Sequence, residues 1–300
     1  MDDINDAVVL DPAGFISIRN KPTIDELAKF YNELYFQDGS LRPKNYQEEY
    51  DEKEMQHIKL MNDLCLYSLL KARPHWKKKP GSMLEVGVGE GFMMSRAEHY
   101  GWNVRGIDFS SYGIKKFNPK ILNKVDIGNA FDLLNNLQKQ AKKFDVCMIH
   151  NVLEHIIDPR KLLETLRVLL TDNGIIVLTV PNDFSKTQMR AYDLGHIKKK
   201  FWVTAPQHLH YFNTSNIRTF MEEMGFQIVD MYSSFPIDFY LFHPGSNYVR
   251  DDKNGKPAHR ARIEIDLLMA DGGLENYHRL CQSFSSCHVG RDITVLVKRK

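Results

Sequence analysis

The stretch Gly81–Ser110, GSMLEVGVGEGFMMSRAEHYGWNVRGIDFS, sets Gly87, Gly89 and Gly91 on alternate positions between an apolar run and a helix-like segment. A glycine-rich turn from strand to helix lets backbone approach a nucleotide-like ligand closely. A dinucleotide fingerprint, G-x-G-x-x-G, needs its third glycine where this chain has Phe92. A phosphate-cradling loop would end in Gly-Lys-Ser/Thr, which is absent. The pattern is instead E-x-G-x-G-x-G, beginning at Glu85.

Outward from this loop the texture is β-rich runs alternating with helical ones. "MLEV", "NVRGID", "ILNKVD", "FDVCMIH" and "GIIVLTV" read as strands; "EGFMMSRAEHY", "SYGIKKF", "AFDLLNNLQKQA" and "PRKLLETLRVLL" read as helices, the last ending at Asn173-Gly174. This alternation predicts a doubly wound α/β sheet. "GIIVLTV" has the composition of a strand covered on both faces. Downstream follow the helix "TSNIRTFMEEMG", the strand "FQIVDMYSS" and a closing strand, "DITVLVKR". Upstream, "AVVLDPAGFISIR" carries a hairpin signal, Thr23 with Glu26 an N-cap signal, and Tyr46–Arg73 a long amphipathic helix stopped by Pro74. His75–Gly81 reads as a linker. The expected division is a hairpin and helical extension over 1–78 and a ligand-binding domain over 79–300, with an acceptor-side insert near 234–290.

Composition narrows the partners. The 300 residues carry a formal charge of +2, so electrostatics imply no nucleic-acid partner, and Lys77–Lys79 and Lys198–Lys200 read as solvated faces. The four cysteines lack CxxC or zinc-like spacing and suit a reducing compartment. No signal-peptide pattern and no membrane-length apolar run is present, so the expectation is a soluble, cytoplasmic protein with room for an oligomer.

Acidic residues mark successive strand ends. Asp108 closes the second strand, where a carboxylate can accept both hydrogen bonds of a ribose diol or cap the next helix, and Asp126 closes the third. With Glu85 they suit a cationic, sugar-bearing ligand such as S-adenosylmethionine (SAM). The segments "LEVGVGEG", "GIDFS", "VDIGNAFD", "FDVCMIHNVLEHIIDP" and "GIIVLTVPN" resemble, in order, the motifs of class I SAM-dependent methyltransferases of the small-molecule type. The resemblance implies a seven-stranded Rossmann-like sheet whose last strand, "DITVLVKR", is antiparallel. It also implies that Glu85, Gly87, Gly89 and Gly91 line the methionine and ribose. Asp108 with Phe109 would hold the ribose side, Asp126 with Ile127 the adenine, and His150 with Asn151 the floor near the sulfonium.

The acceptor is marked by two further segments. Asn151–His155, "NVLEH", is similar to the Glu-x-x-Glu-His segment of ubiquinone-pathway O-methyltransferases, which can hold a divalent metal; Asn151 removes one carboxylate, so no metal is expected. "PQHLHYFN" resembles a signature of bacterial surface-polysaccharide methyltransferases. His208 and His210 alternate and would share one face of an extended chain; with His155 they are the candidate bases or, equally, loop-fixing residues. The reading is a SAM-dependent O-methyltransferase of a small, sugar-like acceptor. Alternatives are a metal-assisted enzyme for a phenolic or quinone-like acceptor, and a non-catalytic SAM-binding protein.

Overall fold

Strand β7 (Leu170–Pro181) shows how the chain is layered. Ile176, Leu178 and Val180 enter one apolar cluster, while Ile175 and Val177 enter another on the opposite face. Side chains alternate across a strand, so an almost continuous apolar run is what a doubly covered strand requires. The computed structural model describes residues 7–23, 26 and 49–300. Its main sheet has the order β5-β4-β3-β6-β7-β10-β9. The members are β3 (Ser82–Val86), β4 (Asn103–Asp108), β5 (Val125–Ile127), β6 (Phe144–His150), β7, β9 (Phe226–Ser233) and β10 (Asp292–Arg299). β10 runs antiparallel to both neighbours, while the β5-β4-β3-β6-β7 pairings are parallel. The predicted seven-stranded fold with its reversed last strand is the observed one. Order reverses beside β3, so the carboxyl ends of β3, β4 and β6 form the switch-point crevice where ligands bind.

Helix α1 (Glu52–Ala72) is closed at its start by a reciprocal capping box between Asp51 and Glu54. It begins at Glu52, because Asp51 is extended and its carboxylate satisfies the backbone of Glu54; the start expected at Tyr46 lies outside the described residues. Leu64, Cys65, Leu66 and Leu69 pack with Met83, Met94, Val146 and Met148 on one face of the sheet. The stretch read as a linker is a short 3-10 helix, Pro74–Lys77, whose buried Trp76 meets Trp102 edge-on at 5.2 Å. Helices α2 (Phe92–His99), α3 (Tyr112–Phe117), α4 (Ala130–Lys139) and α5 (Pro159–Leu169) connect the parallel strands. α5 ends at Leu169 and β7 starts at Leu170, four residues before the predicted stop, because the backbone is already extended there. Only the last two residues of "ILNKVD" are strand: Pro119–Lys124 forms a 3-10 helix and β5 holds three residues.

After β7 come α6 (Lys186–Asp193), β8 (His210–Tyr211) and α7 (Asn216–Glu223). Beyond β9, α8 (Gly255–Ala270) and α9 (Leu274–Ser286) precede β10, where the sequence pattern suggests a helix over Ala261–Gly273 alone. The predicted hairpin is present as β1 (Val8–Leu10) and β2 (Ile16–Ile18), and β2 pairs with β8 through Ile16–Tyr211 and Ser17–His210. Thr23 and Glu26 exchange the hydrogen bonds of a capping box; the helix expected after them lies outside the described residues. Among the described residues no helix is long and apolar enough to cross a membrane.

Candidate active site

The glycine loop follows β3 and bends because its glycines adopt positive φ: +81° at Gly87, +59° at Gly89 and +81° at Gly91. A Cβ at Gly87 would lie 2.4 Å from Val152, and one at Gly91 2.7 Å from Ile121; one at Gly89 would meet nothing within 4 Å. The first and last glycines thus serve protein packing, and the middle one opens toward a ligand. Asp108 locks the loop: Oδ2 accepts from the Gly89 amide and Oδ1 from the Ser110 amide, each at 2.8 Å. It does not cap α3, whose N-cap is Ser111. Burial raises its pKa against these stabilising amide bonds. The Phe109 and Val88 amides add to this hold on the carboxylate.

Glu85 is buried at the end of β3, and its Oε2 has no hydrogen-bonding partner among the described residues. Burial, and then the nearby Asp108 charge, push it up to about 8. A buried carboxyl without a partner is costly in a finished core and suits a recess that a cationic ligand completes. His150, at the end of β6, sets Nδ1 3.8 Å from Glu85 Oε1, and burial holds it down to about 4, hence neutral. Asn151 takes φ +52° and anchors its amide to the Thr179 carbonyl at 2.9 Å. Phe109 and Ile127 are exposed apolar residues at the ends of adjacent strands, and Ile127 lies beside Asp108 in register. They offer apolar surface for a flat ring. Asp126 is directed elsewhere: it pairs in register with Ile107, and its Oδ2 takes the Arg105 guanidinium at 2.8 Å. Cross-strand charge pairing claims it.

The three candidate histidines separate. Only His210 and Tyr211 are strand, so His208 and His210 do not share a face. His210 is buried, with Nε2 on the Ile156 carbonyl at 2.9 Å and Nδ1 on Ser17 Oγ at 2.7 Å. The carbonyl can only accept, so Nε2 carries the hydrogen and Nδ1 accepts from Ser17. Both nitrogens are engaged in fixing the β2–β8 pairing, and burial holds the ring down to about 4. This places His210 with the loop-fixing residues rather than the bases.

His155 and His208 do meet, ring centroids 4.9 Å apart and edge-on. The Leu209 amide bonds the Glu154 carbonyl at 2.8 Å, which docks the segment around His208 on the Leu153–His155 turn. His155 Nδ1 donates to the Gln207 carbonyl at 2.6 Å, and its Nε2 lies 3.7 Å from Glu154 Oε1. One donor atom from each of Glu154, His155 and His208 lies within 4.8 Å of the others. Sequence showed Glu154 and His155 together but not His208, which arrives from a separate loop. Two imidazoles and one carboxylate suit proton handling, and could also hold an ion of borderline softness such as zinc better than a hard cation.

Residues outside the candidate list complete the site; of these only Asp183 lies in a segment, Asn182–Gln188, that its place after the fifth predicted strand puts beside the acceptor. Asp183, after β7, lies 3.8 Å from His208 Nδ1 and accepts from Arg291 Nη1 at 2.9 Å. Tyr50, ahead of α1, donates to the Glu90 carboxylate in the glycine loop at 2.7 Å and meets Phe92 edge-on. None belongs to a short motif; each is brought in by a different part of the chain.

The profile of the methyltransferase domain family matches residues 49–231. A ubiquinone biosynthesis O-methyltransferase of Haemophilus ducreyi is 28% identical over 144 residues, covering 44% of this chain and 58% of that protein. One from Pelagibacter ubique is 27% identical over 176 residues, covering 57% and 69%. The chain thus spans about three fifths of the length of the first curated relatives it matches. The solved structure of coclaurine N-methyltransferase bound to N-methylheliamine and S-adenosylhomocysteine shares the fold, with TM-score 0.50, 15% identity and coverage of 93% and 90%.

Proposed function

The chain belongs to the methyltransferase domain family and uses SAM as its cofactor, and we propose that it methylates a hydroxyl of a small-molecule acceptor with His208 as the proton acceptor. The observation that carries this reading is the convergence of His155, His208 and Glu154 beyond His150, at the same end of the sheet as the glycine loop. SAM supplies an electrophilic methyl on a cationic sulfonium. Glu85, Gly89 and Asp108 would hold it, with Phe109 and Ile127 at the ring. The acceptor oxygen forms its bond to the methyl carbon as the carbon–sulfur bond breaks, and the hydroxyl proton passes to His208. Alignment of donor and acceptor supplies much of the rate, and the base removes the charge that would otherwise build on oxygen.

For the acceptor we propose a sugar-like, polyhydroxylated molecule, supported by the Asp183 carboxylate beside His208. A phenolic acceptor is the second reading, supported by the ubiquinone-pathway names of the relatives. We also propose that the hairpin of the 1–78 segment and the insert near 234–290 serve the acceptor side of the 79–300 domain. The test is S-adenosylhomocysteine release with SAM plus either UDP-glucose and methyl glycosides or 3,4-dihydroxybenzoate. Turnover confined to the phenol would overturn the sugar reading. Turnover with neither, despite SAM binding, would count against catalysis on these classes. His208→Ala should lower turnover roughly a hundredfold or more while leaving SAM affinity intact; an unchanged rate would place the base elsewhere.

A further inference from the structure

We propose that Asp183 and Arg291 are positioning residues for His208: the Asp183 carboxylate receives the Nδ1 hydrogen of His208, and Arg291 holds that carboxylate in place. This rests on the reading of His208 as proton acceptor, because it states which ring nitrogen is left to face the acceptor hydroxyl.

His208 Nδ1 is buried and has no hydrogen-bonding partner among the described residues. The nearest carboxylate is Asp183, whose Oδ2 lies 3.8 Å away. That separation closes to a hydrogen bond with a small turn of the ring, and such bonds are commonly long before substrates bind. Asp183 cannot easily leave. Its side chain is 2% exposed, its other oxygen takes Arg291 Nη1 at 2.9 Å, and its amide bonds the Phe212 carbonyl at 2.7 Å.

Arg291 is fixed in turn through its backbone. Its carbonyl accepts from the Asn182 amide at 2.8 Å, and the Asn182 side chain bonds the Gly290 carbonyl at 2.7 Å. Gly290 also packs closely against β9, where a Cβ would fall 2.2 Å from Ser233 Cβ. The loop after β7 and the start of β10 are therefore tied together in backbone and side chain, one residue apart. A buried carboxylate would be costly alone; with Arg291 beside it Asp183 sits below its ordinary value and stays ionised. Asp238 and Asp292 add to the hold on the guanidinium.

An ionised, immobile carboxylate facing one imidazole nitrogen selects the tautomer with hydrogen on that nitrogen. His208 would then present an unprotonated Nε2 for the acceptor proton. Arg291 touches neither ring nor acceptor and acts only through Asp183.

The test needs no acceptor. Long-range proton–nitrogen NMR on the full chain labelled with 15N-histidine, at pH 8.5, reads the tautomer of each imidazole, with His208 assigned by its loss in His208→Gln. The wild type should show His208 with hydrogen on Nδ1. Asp183→Asn, which keeps shape and loses charge, should move a large share to Nε2, and Arg291→Met should move it in the same direction. Hydrogen on Nε2 in the wild type, or an unmoved tautomer in Asp183→Asn, overturns the proposal. If Arg291→Met does not fold, Asp183→Asn decides alone. With an acceptor from the panel above, Asp183→Asn should lower kcat on the order of a hundredfold with little change in KM, and add nothing on top of His208→Ala. Full additivity of the two would also overturn it. A fast His208→Ala enzyme with the predicted tautomer would instead sink only the base assignment.

Discussion

Replacing Glu85 by Gln isolates one titration that the fold imposes. Glu85 is 3% exposed, and burial reinforced by the Asp108 charge lifts its carboxyl from an ordinary 4.5 to about 8. The folded chain therefore keeps a proton that the unfolded chain releases near pH 4.5. This group's contribution to stability is complete below that pH and is lost as pH climbs through about 8. With these two values, linkage removes roughly 2–3 kcal/mol of folded-state stability between pH 6 and pH 9. At about 2.1 cal/mol/K of unfolding entropy per residue, that corresponds to roughly 3–5 °C in Tm for the 300-residue chain. His150 and His210, held down to about 4 from 6.5, work in the opposite direction and have finished titrating by the start of this window or just inside it. Calorimetric melting of ligand-free wild type and Glu85→Gln at pH 6, 7, 8 and 9 separates the group from everything the two proteins share. The wild-type Tm minus the variant Tm should fall by that amount across the series. A difference constant to within about 1 °C would refute the argument that a protonated carboxyl sits at the end of β3. Because a cationic ligand favours the ionised form, SAM should also bind the wild type more tightly as pH rises through 8, with proton release that Glu85→Gln lacks.

Asp108→Ala removes the anchor of the Gly89 and Ser110 amides together with a charged partner for the ligand, and should weaken SAM binding roughly tenfold or more by titration calorimetry; unchanged affinity would remove Asp108 from the site. Gly89→Ala keeps φ at +59° with a side chain facing open space, so it should cost about 1–2 kcal/mol of stability yet weaken SAM binding well beyond that. Gly87→Ala, aimed at Val152, should instead lower Tm by more than Gly89→Ala; equal losses would contradict the division between packing and ligand glycines. Activity should persist after exhaustive treatment with a strong zinc chelator, and a loss restored by added zinc would convert Glu154, His155 and His208 from a proton-handling cluster to a metal site.

What could be read in advance was what local chemistry dictates. The alternation along β7, the glycine loop and the carboxylate at the end of β4 follow from pleat, φ and strand ends, each decided within a few residues. The boundaries that moved have equally local causes that compete with pattern: Asp51 and Glu54 start α1 by capping each other, and Pro119 turns most of an apparent strand into a 3-10 helix. The acceptor side was harder because its residues meet only through long-range pairing. His208 and His210 look equivalent until β2, some two hundred residues away in sequence, claims His210 through Ser17 and leaves His208 outside the strand.

The same separation accounts for Asp183 and Arg291, which no spacing connects. Their proximity follows from the reversed β10, which brings Asp292 opposite Pro181 and so sets Arg291 beside the loop that leaves β7. A parallel last strand would have delivered its other end to that position. The antiparallel strand is thus more than an edge of the sheet: it returns a guanidinium to the carboxyl end of the parallel strands. There Arg291 can hold the carboxylate that faces His208, while the glycine loop at β3 is built without it. In the proposed mechanism donor binding and proton acceptance draw on different strands, so substitutions at Asp183 or Arg291 should alter turnover and leave SAM affinity where it was. A shared loss of both in Asp183→Asn would show that the two halves of the site are not separable in this way.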